Sequence, residues 1–156
     1  MYPKNPCDRG VPGSVSQGAS SRLALARILE QALRFFSKGN KELAAGLCAH
    51  ALEIDPAARE ARLLLARMAD ERGELSGAEA HLRAALDSGP LDVDALKELA
   101  GLLLRNDRER EALDMVLQAA ARANDRVGVL LLAAQTAEIT GDNRSAAMLR
   151  QDLAGI

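Results

Sequence analysis

Large aromatic side chains are nearly missing: there is no tryptophan, one tyrosine and two phenylalanines. A core in this chain must therefore be built mainly from alanine and leucine. Cysteine is scarce too, and the two present do not make a disulfide framework. Cys7 stands in a Gly/Pro/Ser-rich stretch with no apolar run before it, which gives no support to a lipoprotein anchor. Cys48 stands at an apolar position of a helical pattern, where a free thiol behaves as a small hydrophobe. The pair suits a reducing cytoplasm. The two histidines, His50 and His81, lie far apart, and no His-x3-His, Cys-x2-Cys or clustered carboxylates offer metal-ligand spacing. No phosphate-binding or dinucleotide glycine motif is present, so an enzyme is not expected, and neither is a cofactor. No apolar run approaches the roughly 20 residues of a membrane span, and residues 1–21 lack the apolar segment of a secretory signal. Net charge is only -2, with arginines interleaved among acids. That balance supplies no attraction to nucleic acid or to an anionic membrane.

What the chain does have is a period of 34 residues. Gly39, Gly73 and Gly141 share one phase, with Asp107 in the remaining slot. Ala44, Ala78, Ala112 and Ala146 share another, and Ala51, Ala85 and Ala119 a third, with Leu153 in the fourth place. Pro56 and Pro90 share a fourth phase. A period in this range signals a row of similar supersecondary units. Strand signals are almost absent and alanine is the strongest helix former, so the expected class is all-α.

Four helical hairpins are expected, over about 25–58, 59–92, 93–126 and 127–156. Their helices fall near 22–37 and 41–53, 59–72 and 75–88, 93–106 and 109–122, and 127–139 and 143–154. The glycine or aspartate phase falls between the two helices of each hairpin, where a left-handed backbone ends the first helix. Before Pro56 and Pro90 the second helices stop, because the residue ahead of a proline is pushed out of helical geometry. Residues 1–20, with Pro3, Pro6, Gly10, Pro12, Gly13 and Gly18, read as a flexible tail. Ser20 or Ser21 is expected to cap the first helix, and residues 21–156 to form one repeat domain.

The hairpins resemble the tetratricopeptide repeat (TPR) family, whose pattern runs W-x2-L-G-x2-Y, A-x3-F, P. The first reads Ile28, Gln31, Ala32, Phe35, Ala44, Cys48, Ala51, Pro56; the second reads Arg62, Leu65, Ala66, Ala69, Ala78, Leu82, Ala85, Pro90. The third reads Leu96, Leu99, Ala100, Leu103, Ala112, Val116, Ala119, Asn124, and the fourth Leu130, Ala133, Ala134, Ala137, Ala146, Arg150, Leu153. Alanine fills both small-residue slots in all four. Most large aromatics of the pattern are replaced by Leu, Ala or Cys. Arg62 takes a bulky apolar slot, its stem expected to pack while its head reaches water. Arg150 takes the slot of Cys48, Leu82 and Val116, as suits a terminal capping repeat.

The resemblance implies an α-solenoid of about four repeats, wound as a right-handed superhelix, with first helices lining a concave groove. The residues it places there are Leu29, Leu33, Phe36, Leu63, Arg67, Asp70, Lys97, Leu104 and Leu131. Leu29, Leu33 and Phe36 form an i, i+4, i+7 stripe beside the core stripe Ile28, Ala32 and Phe35. A helix apolar on two faces must cover both or expose one. Three readings stay open for that stripe: floor of a groove for a partner, internal packing, or self-association. One TPR subclass grips the terminal carboxylate of chaperone tails with Lys, Asn and Arg; the matching positions are Leu29, Leu33, Leu64, Asp94 and Glu98, so the basic clamp is missing. The resemblance implies an adaptor or scaffold that holds a peptide or amphipathic helix of another protein. The alternatives are a dedicated chaperone for a secretion or assembly subunit, and a self-associating structural protein. Ala, Arg and Leu usage points to a bacterial source.

Overall fold

The computed structural model describes residues 14–89, 91–122 and 126–156; Cys7, Pro90 and Asn124 lie outside them. Among the described residues there are eight helices and no strand: α1 (Ser14–Ser37), α2 (Lys41–Ile54), α3 (Arg59–Glu71), α4 (Leu75–Asp87), α5 (Val93–Arg105), α6 (Glu109–Arg122), α7 (Arg126–Ile139) and α8 (Asn143–Ala154). The chain divides into two compact units between Asp55 and Pro56. The first carries the hairpin α1–α2. The second carries α3 to α8, each helix packed on the next, with α5 also touching α7.

Each turn inside a hairpin repeats one geometry. Gly39, Gly73, Asp107 and Gly141 take φ of 78°, 74°, 57° and 76°. The next residue's N–H then returns to a carbonyl five residues back: Asn40 to Phe35 (2.9 Å), Glu74 to Ala69 (2.8 Å), Arg108 to Leu103 (3.0 Å) and Asp142 to Ala137 (2.9 Å). This closes the otherwise unpaired carbonyls at a helix end. The side chains of Asn40, Asp92 and Asp142 then accept N–H groups at the starts of α2, α5 and α8.

In α1 the sequence expectation needs correction. The helix begins at Ser14, well before residue 22, so residues 14–20 are helical and Ser20 and Ser21 lie inside the helix, not at its cap. Small and polar residues fill that stretch and carry no apolar period. Once a helix is nucleated, however, each added residue gains one backbone bond for one residue fixed, against three fixed for the first bond. With 24 residues against the 14 of α2, α1 runs well past its partner. Within this first unit Ala32, Ala44, Cys48 and Ala51 are fully buried. Burial pushes the unpaired Cys48 thiol up to about 11, which makes it packing material and not a nucleophile.

In the second unit the core includes two clusters of buried residues. One joins Ala66, Ala69, Ala78, Leu82, Leu99, Leu102, Leu103 and Ala112; the other runs from Leu96 and Val116 through Val129, Leu130 and Ala133 to Ala146 and Leu149. Leu86 and Met115 border both clusters, so apolar packing continues from hairpin to hairpin. Arg62 is half-buried, and its head, at the exposed surface, donates to the Pro56 carbonyl at 2.7 Å. Beside it, burial first and the Arg62 charge second hold His81 below the usual histidine range.

An ion-pair network ties α4 to the start of α6. Glu79 accepts from Arg83 (2.8 Å) and Arg108 (2.5 Å), and Glu111 accepts from the same two arginines at 2.8 and 2.7 Å. The hydrogen bonds from Arg108, and then Arg83, hold the Glu79 carboxyl below its ordinary range. A depressed carboxylate stabilises the fold above its unfolded pKa of about 4.3 and loses that contribution as pH falls through the lower folded value. Glu79→Gln is therefore expected to lower the melting temperature at neutral pH. Its deficit against the unaltered protein should shrink to nothing on acidification, as thermal melts across pH would show.

Candidate partner-binding groove

The first helices of the second unit's hairpins, α3, α5 and α7, carry most of the expected groove residues. Between α3 and α5 the surface is closed by two ion pairs of opposite sense. Arg67 of α3 donates to Glu98 of α5 through Nε at 2.8 Å and also through its terminal nitrogen. Arg105 of α5 donates back to Asp70 of α3 at 2.6 Å. The Glu98 hydrogen bond, with the charges of Glu98 and Asp94 behind it, holds the Arg67 guanidinium above its ordinary range despite partial desolvation. All four of these residues line a small cavity of about 160 Å³ with Ala66, Leu82 and Leu102.

Between α5 and α7 the surface is open. A cavity of about 600 Å³ is lined on the α5 side by Asp94, Lys97, Glu98, Gly101, Leu104 and Arg105, and on the α7 side by Leu132, Gln135, Thr136 and Ile139. Arg67 reaches its edge. That volume is within the range of ordinary ligand sites. Gly101 widens it, because a side chain there would start at the α5 surface. The Thr136 hydroxyl is already used by the Leu132 carbonyl at 2.8 Å. Along α7, Val127, Leu131, Gln135 and Ile139 recur every fourth residue, and Leu131 and Ile139 are 48% and 65% exposed. The other side of α7, with Val129, Leu130, Ala133 and Ala137, is buried. This helix is thus apolar on two sides and leaves one of them to solvent.

Of the expected groove residues, Arg67, Lys97 and Leu104 meet in the larger cavity. Leu131 is exposed on the same α7 stripe but is not part of the cavity lining. Asp70 lines the smaller cavity, and Leu63 is half-buried against the core. Leu29, Leu33 and Phe36 belong to the first unit, where Leu33 is 52% exposed and the other two are half-buried. Of the lining residues, Gly101 and Gln135 share the repeat phase of Leu33 and Arg67, on the face the resemblance assigns to the groove, whereas Leu132 lies outside that face. The signal for Leu132 is the unbroken run Val129-Leu130-Leu131-Leu132-Ala133-Ala134, too long and too uniform for a helix with one buried face. Among the described residues no cluster of three or more His, Cys, Asp or Glu could hold a metal, and no helix is long and apolar enough to cross a membrane.

No protein-family model matches the sequence, and no curated protein is similar to it. Solved structures do match. pilF of Pseudomonas aeruginosa superposes with a TM-score of 0.66 at 24% identity, over 86% of this chain and 61% of that one. YrrB, a TPR protein with an unusual peptide-binding site, superposes with a TM-score of 0.60 at 17% identity, over 82% of this chain and 66% of that one. The chain thus spans less than two thirds of either neighbour. Its fold is of the tetratricopeptide type, as the alanine and glycine phases led one to expect.

Proposed function

We propose that the chain is a non-catalytic protein-interaction module, an adaptor or scaffold, that holds a peptide or amphipathic helix of another protein between α5 and α7. The observation that carries this reading is the open α5–α7 cavity beside the uncovered apolar stripe of α7. A row of exposed apolar side chains flanking a cavity is a contact surface awaiting a partner. The neighbouring α3–α5 seam, closed by ion pairs, offers no such opening. End-to-end self-assembly finds less support, since α8 presents Arg150, Gln151 and Asp152 to solvent, with Arg150 bound to Glu138. The buried, unpaired Cys48 suits a reducing, cytoplasmic setting.

Leu131→Glu tests this. Leu131 is 48% exposed, so the change should leave far-UV circular dichroism and melting nearly unaltered. Partner proteins captured from the source organism by the unaltered chain should be lost, with an affinity drop of at least ~30-fold, as for a central apolar anchor. Retained capture by a folded Leu131→Glu protein would overturn the reading.

A further inference from the structure

The charges around the α5–α7 cavity are not equivalent. Three cations line it: Arg67, Lys97 and Arg105. Arg67 is held by Glu98, and Arg105 by Asp70. Lys97 alone of the three has no carboxylate partner among the described residues, although Asp94 and Glu98 stand three positions before and one after it on the same helix. Glu98 is taken up by Arg67 through its hydrogen bonds, and Asp94 makes no ion pair with Lys97. The intramolecular pairing thus leaves one ammonium on the α5 wall without an ion pair, in a groove beside which the apolar stripe of α7 runs.

That ridge has a definite period. Val127, Leu131, Gln135 and Ile139 follow the i±4 row of α7, the row that a second helix packs against. On the facing wall Gly101 has no side chain, and a Cβ placed there would meet only the end of the Arg105 side chain, at 3.4 Å. The space at Gly101 is open to an approaching backbone.

We infer that the groove takes an amphipathic helix whose apolar face lies along the α7 ridge and whose flank carries a side-chain carboxylate that pairs with Lys97. The inference rests on the groove reading above and adds the partner's chemistry. The carboxylate belongs to the body of the helix and not to a chain terminus. A second copy of this chain is a poor occupant through α1, whose exposed charges Arg22, Arg27 and Arg34 outnumber Glu30.

The test uses two N-acetylated, C-amidated, fluorescein-labelled peptides of about 16 residues, long enough to hold some helix in water. Each has leucine at i, i+4 and i+7; one carries glutamate on both flanks of that stripe and the other lysine. By anisotropy against the full chain, the glutamate peptide is expected to bind about tenfold tighter, since attraction and like-charge repulsion at a part-exposed lysine each contribute a few-fold. Lys97→Gln should bring the two affinities together, Lys97→Glu should reverse their order, and Gly101→Leu should abolish both without unfolding the protein. Equal binding of both peptides by the unaltered chain overturns the inference while leaving the groove reading standing, provided that Gly101→Leu still removes binding. A preference that survives Lys97→Glu overturns it as well, because the cation is then elsewhere. Binding of neither peptide also overturns it, and the groove reading is then decided by the Leu131→Glu capture. A dimer in sedimentation that Gly101→Leu disperses would give the groove to a second copy and likewise overturn the inference.

Discussion

Leu103→Ala is expected to lower the unfolding free energy by about 2–5 kcal/mol, the range for truncating a fully buried leucine in a core that collapses only in part. Leu103 is 1% exposed and sits in the cluster shared by α3, α4, α5 and α6. Its neighbours there include Ala66, Ala69, Ala78 and Ala112. Alanines cannot swing a longer side chain into the void, so little of the lost volume is recovered. The measurement is a urea melt followed by helical circular dichroism, with Leu75→Ala as the exposed comparison, expected within about 0.5 kcal/mol of the unaltered chain. A loss below about 1 kcal/mol for Leu103→Ala would mean that hairpins of this alanine-rich type close up around a cavity.

Enlarging an alanine is expected to be nearly as costly. Ala112→Leu should destabilise by about 1–3 kcal/mol through overpacking, although leucine is far more apolar. Ala112 is fully buried on α6, and the same phase holds Ala44, Ala78 and Ala146, all buried to within 2%. In each hairpin this position is where one helix presses on its partner, so three added carbons must push helices apart. Ala112→Gly relieves any crowding and should cost about 1–2 kcal/mol, from helix propensity together with the lost burial of one methyl group. If Ala112→Leu instead matched or exceeded the unaltered stability, close approach of helices would not be what the repeated alanine secures.

Much of this architecture is legible from residue spacing. Most helix ends fall within one residue of expectation, because Gly39, Gly73, Asp107 and Gly141 mark backbone positions that other residues tolerate poorly. The start of α1 escaped, since Ser16, Gly18, Ser20 and Ser21 carry neither an apolar period nor a preference for helix interiors. Arg67 and Asp70 looked like charges available to a ligand. Their partners, Glu98 and Arg105, lie 31 and 35 residues further on, a separation that brings side chains together only once hairpins are stacked.

The sequence by itself determined the all-α class, the hairpin boundaries and the alanine seams, because each depends on backbone preference and on a spacing that the 34-residue period prints directly. Only the tertiary structure decided which of the inner-face charges are spent and which apolar face stays open. The α3–α5 seam closes on two ion pairs, while α5 and α7, built to the same pattern, leave Lys97 and the α7 ridge unmatched. The reason is geometric: neighbouring repeats are related by a small offset, and whether an acid of one reaches a base of the next depends on distances of an ångström or two that no one-dimensional spacing contains.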